Sequence, residues 1–320
     1  MLKMYRTITV FFLTMLLTSL NAQYKIQGYP VLGKTYIKLS DAARFFGMRH
    51  SASGAEFSLS SKWSTIKMKK DSRSATVNGT KVSFSFAPTY SNRVPMISET
   101  DFLKILDPIL RANAVNYKRT KRIVIDPGHG GKDKGASGKT FHEKNLVFNI
   151  AVKLKDKLKS LGFEVYLTRY SDSTVTLSRR PEIAKAYKAD LFLSLHTNAA
   201  SAAAKGVETY VLTPKNAPST SGSSLRKSAT TANSYDKHNI RLGYEIQKSI
   251  ISQTKAQDRG VKHAQFLVLD RAPCPAALIE MGFISNRYEE SNMANAGYQT
   301  KLINGITNGI LKYMRALAKK

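Results

Sequence analysis

Three apolar runs in the second half of the chain each stop on a side chain able to bind a metal ion. Ile123-Val-Ile-Asp-Pro-Gly-His-Gly-Gly131 breaks into a glycine-rich turn that carries His129. Leu191-Phe-Leu-Ser-Leu-His196 ends on His196, and Ala276-Ala-Leu-Ile-Glu280 ends on Glu280. Short unbroken apolar runs bounded by turn residues read as buried strands. Helical patterns lie between them. Glu143 to Leu161 puts Leu146, Val147, Ile150, Leu154, Leu158 and Leu161 on one face, and Gly162 is the stop. Ser178–Lys188, Ile240–Lys255 and Gln299–Leu317 read as further helices, and Phe163–Thr168, Val207–Leu212 and Phe266–Leu269 as further strands. This alternation predicts an α/β fold, a mixed and largely parallel sheet with helices on both faces.

In open α/β sheets ligands bind beyond the carboxyl ends of the strands. His129, His196 and Glu280 all sit at such ends. Glu143 joins them from the first turn of a helix, a short loop after His129. Two His and one Glu form a donor set suited to one Zn²⁺ ion with a position open for water. Glu280 is then the spare carboxylate, a general base and acid. Each residue alone has a plainer reading: a hydrogen-bonded histidine, a helix-start carboxylate favoured by the dipole, an exposed strand terminus. No compact H-E-x-x-H signature is present. His142 stands beside Glu143, but neighbours on a helix point about 100° apart, so it is read as a surface residue. His263 has two readings, a groove-lining residue or an ordinary exposed histidine, and the second is the commoner. Asn198 lies two residues beyond His196 on the same pleat face, and Arg259 offers forked donors for a peptide carboxylate.

The ordered motifs go further than their spacing. Ile125-Asp-Pro-Gly-His-Gly-Gly131, Glu143-Lys-Asn-Leu146, Leu167-Thr-Arg169, Arg179-Arg180, Ser194-Leu-His-Thr-Asn-Ala199, Gly206-Val-Glu-Thr-Tyr210, Arg259-Gly-Val261 and Ile279-Glu-Met-Gly-Phe-Ile-Ser-Asn286 follow one another through the chain. Together they closely resemble the zinc-dependent N-acetylmuramoyl-L-alanine amidases of the type 3 family, from about Arg122 to Met314. The resemblance implies a phosphorylase/hydrolase-like α/β fold. It also implies peptidoglycan as substrate, one Zn²⁺ held by His129, Glu143 and His196, and Glu280 as the catalytic carboxylate. The other readings to weigh are a zinc carboxypeptidase acting on the stem peptide and a non-catalytic wall-binding protein.

The N-terminus points to export. Lys3 and Arg6 precede an apolar run, Ile8 to Leu20, with a small-residue cleavage site after Ala22. That is the order of a secretory signal, and the run is short for a membrane span. An uncleaved anchor is the alternative. The expected location is the periplasm or the cell wall, with no stable membrane span after processing. The chain carries 50 Lys and Arg against 22 Asp and Glu, a formal net charge of +28. Such a surplus attracts polyanions. Export and the lack of a helix-turn-helix or zinc-finger pattern argue against nucleic acid.

Residues 24–116 read as a small α+β domain. Thr35–Leu39 is a strand, and Ser40 caps a helix from Asp41 to Phe46 that Gly47 ends. Ala55–Leu59, Thr65–Met68, Ala75–Val77 and Lys81–Phe86 alternate, with Asn78-Gly79 as a hairpin turn. Val94–Ser98 then leads into a helix, Glu99–Leu106. Tyr36–Asp41 and Val94–Glu99 form a faint repeat, and the layout resembles the stalk domain of copper amine oxidases. The domain is expected to act as a spacer or wall-binding module, joined through a basic linker, 117–122, to the catalytic part, 123–318. Pro214 to Lys237, rich in Ser, Thr, Asn, Ala and Lys, reads as a flexible insertion. It is either a tolerated loop or a lid lifted by a protein activator or envelope factor. Cys274, the single cysteine, excludes an intramolecular disulfide and reads as a small apolar residue.

Overall fold

The computed structural model describes residues 26–318. The proposed signal sequence, residues 1–22, lies outside the described residues. Among the described residues no helix is long and apolar enough to cross a membrane.

The N-terminal part builds strands β1 (Tyr29–Val31), β2 (Lys34–Lys38), β3 (Arg49–Ser53), β4 (Glu56–Ser60), β5 (Thr65–Lys69), β6 (Ser74–Val77), β7 (Thr80–Ser83), β8 (Thr89–Ser91) and β9 (Val94–Ser98). The C-terminal part adds β10 (Arg122–Pro127), β11 (Glu164–Leu167), β12 (Leu191–Asn198), β13 (Val207–Leu212), β14 (Asp258–Ala264) and β15 (Ala276–Phe283). β10, β12 and β15 run parallel, whereas β13 lies antiparallel to β15. The helices Glu143–Lys159, Asp236–Thr254 and Ala296–Ala318 bury one face of this sheet. The short helices Arg179–Ala186 and Leu267–Asp270 cover the other through Ala184, Val268 and Leu269.

The two strands of the faint repeat pair with each other. β2 lies antiparallel to β9 with Ile37 opposite Ile97, and each strand leads directly into a helix. The second helix is capped by Ser98, with the Asp101 amide donating to Ser98 Oγ at 3.0 Å, but runs on through a π-helical turn, Phe102–Leu106, to Leu110. The first departs from expectation. It spans Leu39–Phe46, so Ser40 lies inside its first turn and makes no cap. Gly47 closes it at φ 63°, a left-handed position that favours glycine.

One further reading is corrected, and some elements carried no sequence signal. Phe266–Leu269 contributes to a helix, Leu267–Asp270, and the strand is β14 just before it. A short apolar run carries no period that separates strand from helix, whereas the true strand hides behind charged Asp258, Arg259 and Lys262. β3 was invisible because all but Ala52 of its residues are polar or charged. A helix at Arg287–Ala294 also lacked an apolar stripe, although Asn286 caps it by accepting from the amides of Tyr288 and Glu289.

The largest difference concerns the boundary between the two parts. β14 pairs in parallel with β7 through Val261 and Val82, which joins β3–β7 to the C-terminal strands in one sheet of 11 strands among the described residues. Val211, Ile240, Tyr244 and Val261 share a core with Phe57, Leu59, Ile66 and Val82. Tyr244 Oη donates to the carbonyl of Val77 at 3.0 Å, and Arg241 donates to those of Pro108 and Ile109. The small N-terminal domain thus packs directly against the C-terminal part.

Candidate metal centre and catalytic cleft

The site grows from the turn after β10. Asp126 is fully buried and accepts from Thr168 Oγ1, Arg180 Nη1 and Ser194 Oγ at 2.6–2.7 Å. Arg180 also donates to the carbonyls of Pro127 and His129, and Arg169 to those of Pro127, Gly128 and Lys144. Two arginines from distant elements thus fix the turn that presents His129, a residue held at φ 60°. Neither Asp126 nor the arginines had been assigned a role, although all three belong to the ordered motifs. Gly128 is required by contact: a Cβ there would lie 2.3 Å from His196 Cε1.

Glu143 opens the helix Glu143–Lys159 with its side chain almost wholly buried. Its Oε2 accepts from the Ala136 amide at 2.9 Å and lies 3.1 Å from His129 Nε2. Its Oε1 accepts from the Thr197 amide at 2.9 Å and lies 2.9 Å from His196 Nδ1. Burial would raise the carboxyl, but the two imidazoles outweigh it and hold Glu143 far below the usual carboxylate range. His129 turns its other nitrogen, Nδ1, to Asp133 Oδ2 at 2.8 Å. Such a carboxylate behind a histidine fixes the ring's orientation in metal sites.

The result is a compact donor set. One atom each from His129, Glu143 and His196 lies within 4.8 Å of the others. Two imidazoles and a carboxylate at that separation fit a divalent metal ion, so the structure brings together the three residues nominated from the sequence. His142 stays out of the cluster. It precedes the helix and pairs its Nδ1 with Ser137 Oγ at 3.0 Å.

Glu280 faces this cluster from the neighbouring strand, with His196 opposite it in the β12–β15 register. Its Oε2 is buried without a hydrogen-bond partner. Burial, reinforced by the nearby negative charges of Glu143 and Glu208, pushes its carboxyl up to about 7 against the pull of the two histidines. A cavity of about 320 Å³ opens over these groups, walled on one side by Phe266, Leu267 and Val268.

Asn198 also lines the cavity, with its amide nitrogen 3.5 Å from Glu208 Oε2. Arg259 does not line the cavity; its Nε donates to the buried Glu208, and its guanidinium lies 4.8 Å over the Phe283 ring. Glu208 also accepts from Lys262 and from Tyr210 Oη, at 2.8 and 2.7 Å. It sits directly opposite Glu280 in the β13–β15 register. Its position in the Gly206–Tyr210 motif was the only signal for it. His263, expected at the surface, is buried, its ring facing the backbone of Leu212 and Ser83. Alternating burial along β14 turns it inward beside Val261. Cys274 is buried as expected, and burial pushes its thiol up to about 12.

Residues 214–237 do not line the cavity. They are tied down instead. Arg73 donates to the carbonyls of Pro218, Ser219 and Gly222, Thr220 exchanges hydrogen bonds with the backbone of His263, and Arg226 pairs with Asp270. A flexible lid over the metal centre does not fit these contacts.

The family described as N-acetylmuramoyl-L-alanine amidase, Amidase_3, matches residues 123–312, more than half of the chain. This protein belongs to that family. The amidase is 34% identical over 203 residues to the uncharacterized protein YqiI of Bacillus subtilis, covering 63% of this chain and 89% of that one. It is 36% identical over 194 residues to the N-acetylmuramoyl-L-alanine amidase LytC of the same organism, covering 60% of this chain but only 35% of LytC. Among solved structures, an N-acetylmuramoyl-L-alanine amidase from Clostridium difficile 630 superposes with a TM-score of 0.52 at 34% identity, covering 62% of this chain and 98% of that one. The amidase is therefore a peptidoglycan hydrolase that cleaves the bond between N-acetylmuramic acid and L-alanine. Its matched fold is the C-terminal part, and β1–β9 lie outside the family match.

Proposed function

We propose that the amidase is an exported zinc enzyme in which His129, Glu143 and His196 hold the ion and Glu280 moves the proton. The observation that carries this reading is the buried, unpartnered Glu280 Oε2 beside a three-residue donor set. Zinc held by these three residues would supply a Lewis acid for the lactyl carbonyl and would lower the pKa of the attacking water. Glu280 takes the proton from that water and returns it to the departing L-alanine amine. A carboxyl raised to about 7 is suited to both halves of the exchange near neutral pH. Asp133 and the Arg169–Arg180 clamp keep His129 aimed at the centre. The apolar wall of Phe266, Leu267 and Val268 limits water around the scissile bond, and Asn198 offers an amide to the substrate. Arg259 acts through Glu208, whose negative charge it balances.

The substrate is the peptide-bearing glycan of the cell wall, which places the enzyme in the periplasm or at the wall. Mass spectrometry of muropeptides after digestion tests the reaction. The expected products carry a free L-alanine amino group, and a chelator stops their formation. Release of terminal D-amino acids instead would identify a carboxypeptidase. Glu280→Gln is expected to lower turnover by about a thousandfold while zinc content stays that of the wild type. Normal turnover by that variant would remove Glu280 from its role.

A further inference from the structure

The shared sheet has a consequence for substrate recognition. One cross-strand row runs from the metal centre into the N-terminal part. His196 lies opposite Glu280, Glu280 opposite Glu208, and Glu208 opposite Gly260. Because Val261 pairs with Val82, Gly260 falls beside Lys81, and a Cβ on Gly260 would lie 2.8 Å from Lys81 Cβ. Lys81 is opposite Thr76, Thr76 opposite Lys67, and Lys67 opposite Ser58. Cross-strand partners share a face of the sheet. The outward face of β3–β7 is thus the continuation of the face that carries Glu280.

That face is chemically uniform. Its side chains are serines and threonines, with Arg49, Lys67, Lys69 and Lys81 against the single acidic residue Glu56. None of them is buried. The opposite face supplies Phe57, Leu59, Ile66, Met68, Ala75 and Val77 to the core. At the sheet edge toward which β10, β12 and β15 run, the β4–β5 and β6–β7 turns enclose a cavity of about 510 Å³. Trp63, Lys62, Lys67, Thr76 and Asn78 line it, and no acidic side chain does. Trp63 is the only tryptophan of the chain and is 80% exposed, with Lys62 Nζ over its ring at 4.7 Å.

We propose that the β4–β5 and β6–β7 edge, centred on Trp63 and Lys67, is a second subsite for the glycan strand whose stem peptides are cut at Glu280. The exposed indole gives a flat apolar surface for the C–H face of a pyranose ring. Asn78, Thr65 and Thr76 offer hydrogen bonds to hydroxyl and acetamido groups, and Lys62 and Lys67 meet the carboxylates of stem peptides. The order of strands puts five steps between β15 and β5. At about 4.8 Å per step the two positions are roughly 24 Å apart along the sheet, a span for a polymer and not for a single sugar. The subsite would hold the enzyme on insoluble wall while the cleft works on a neighbouring repeat.

The proposal rests on the amidase reading, and its test separates the two. Full-length protein carrying Glu280→Gln is co-sedimented with purified insoluble peptidoglycan stripped of covalently attached anionic polymers. Adding Trp63→Ala with Lys67→Glu is expected to weaken that binding by about tenfold. Adding Tyr288→Ala, an exposed aromatic on another surface, is expected to leave it as it was. Thermal melting checks that each protein is folded. Equal sedimentation of the Trp63/Lys67 variant and its parent overturns the proposal, as does binding confined to wall that keeps its anionic polymers or to anionic vesicles. Failure of the amidase reading appears elsewhere, as wild-type enzyme that cleaves no muramoyl peptide while the sedimentation difference persists.

Discussion

At the scale of single residues, burial decides which ionisable groups can work and which only burden the fold. Glu143 and Glu280 lie close together, yet contacts with two imidazoles hold the first ionised while burial raises the second to about 7. Two carboxylates with separated pKa values suit the proposed division of labour, ligand for one and proton carrier for the other. His263 shows burial without use. Burial, with Arg73 nearby, pulls its imidazole from 6.5 down to about 4 against a partial offset from the backbone of Leu212 and Ser83. A depressed histidine pKa means that the neutral ring fits the fold and the cation does not. Its stabilising share is complete above about pH 6.5 and is lost as pH falls toward 4, on the order of 3 kcal/mol. Urea unfolding at pH 7.5 and about pH 5 is expected to show a loss of stability in acid that His263→Leu reduces. An acid dependence identical to the wild type would place the titrating group elsewhere.

At the scale of elements, the informative cases are β14 and the segment after β13. β14 reads as a charged stretch, but its alternation sets Val261 and His263 inward and Lys262 outward. Asp258 holds the seam with β7, since its carboxylate accepts from the amides of Lys81 and Gly260 and from the Gln247 side chain. The 214–237 segment has no apolar period, because its order comes from hydrogen bonds to partners far away in sequence. Removing residues 216–228 is therefore expected to leave amidase activity no higher than wild type and to lower the midpoint of thermal unfolding. A rise in activity on deletion would restore the idea of a lid.

At the scale of the whole molecule, one sheet passes through both parts of the chain. Burying Val211, Ile240, Tyr244 and Val261 under the N-terminal strands removes large apolar side chains from water, each worth about 1.5–3 kcal/mol. The two parts are expected to unfold together. Calorimetry of the full chain should give one transition, and a fragment beginning at residue 117 should melt lower or aggregate. Two well-separated transitions, with the fragment as stable as the intact protein, would show that the shared core contributes little. This architecture also sets β3–β7 in the same sheet as Glu280, as the proposed second subsite requires.

The proposed metal centre is legible in the sequence because its residues occupy strand ends and a helix start, positions that local patterns reveal. Periodicity marked β10, β12 and β15 and the long helices, and the ordered motifs selected His129, Glu143, His196 and Glu280 from their surroundings. Local patterns say nothing of which sheet edge meets which. The parallel pairing of β7 with β14 joins residues 82 and 261, and its strength lies in side chains buried from both parts at once. The same holds for Glu208, whose importance comes from standing opposite Glu280, and for the Arg73 contacts that order the 214–222 backbone. Sequence alone set the candidate metal-binding and proton-carrying side chains at the strand ends. Tertiary structure decided that β3–β7, residues 49–83, extend the C-terminal sheet, because pairing between distant edges depends on shape and shared burial that no short stretch of sequence encodes.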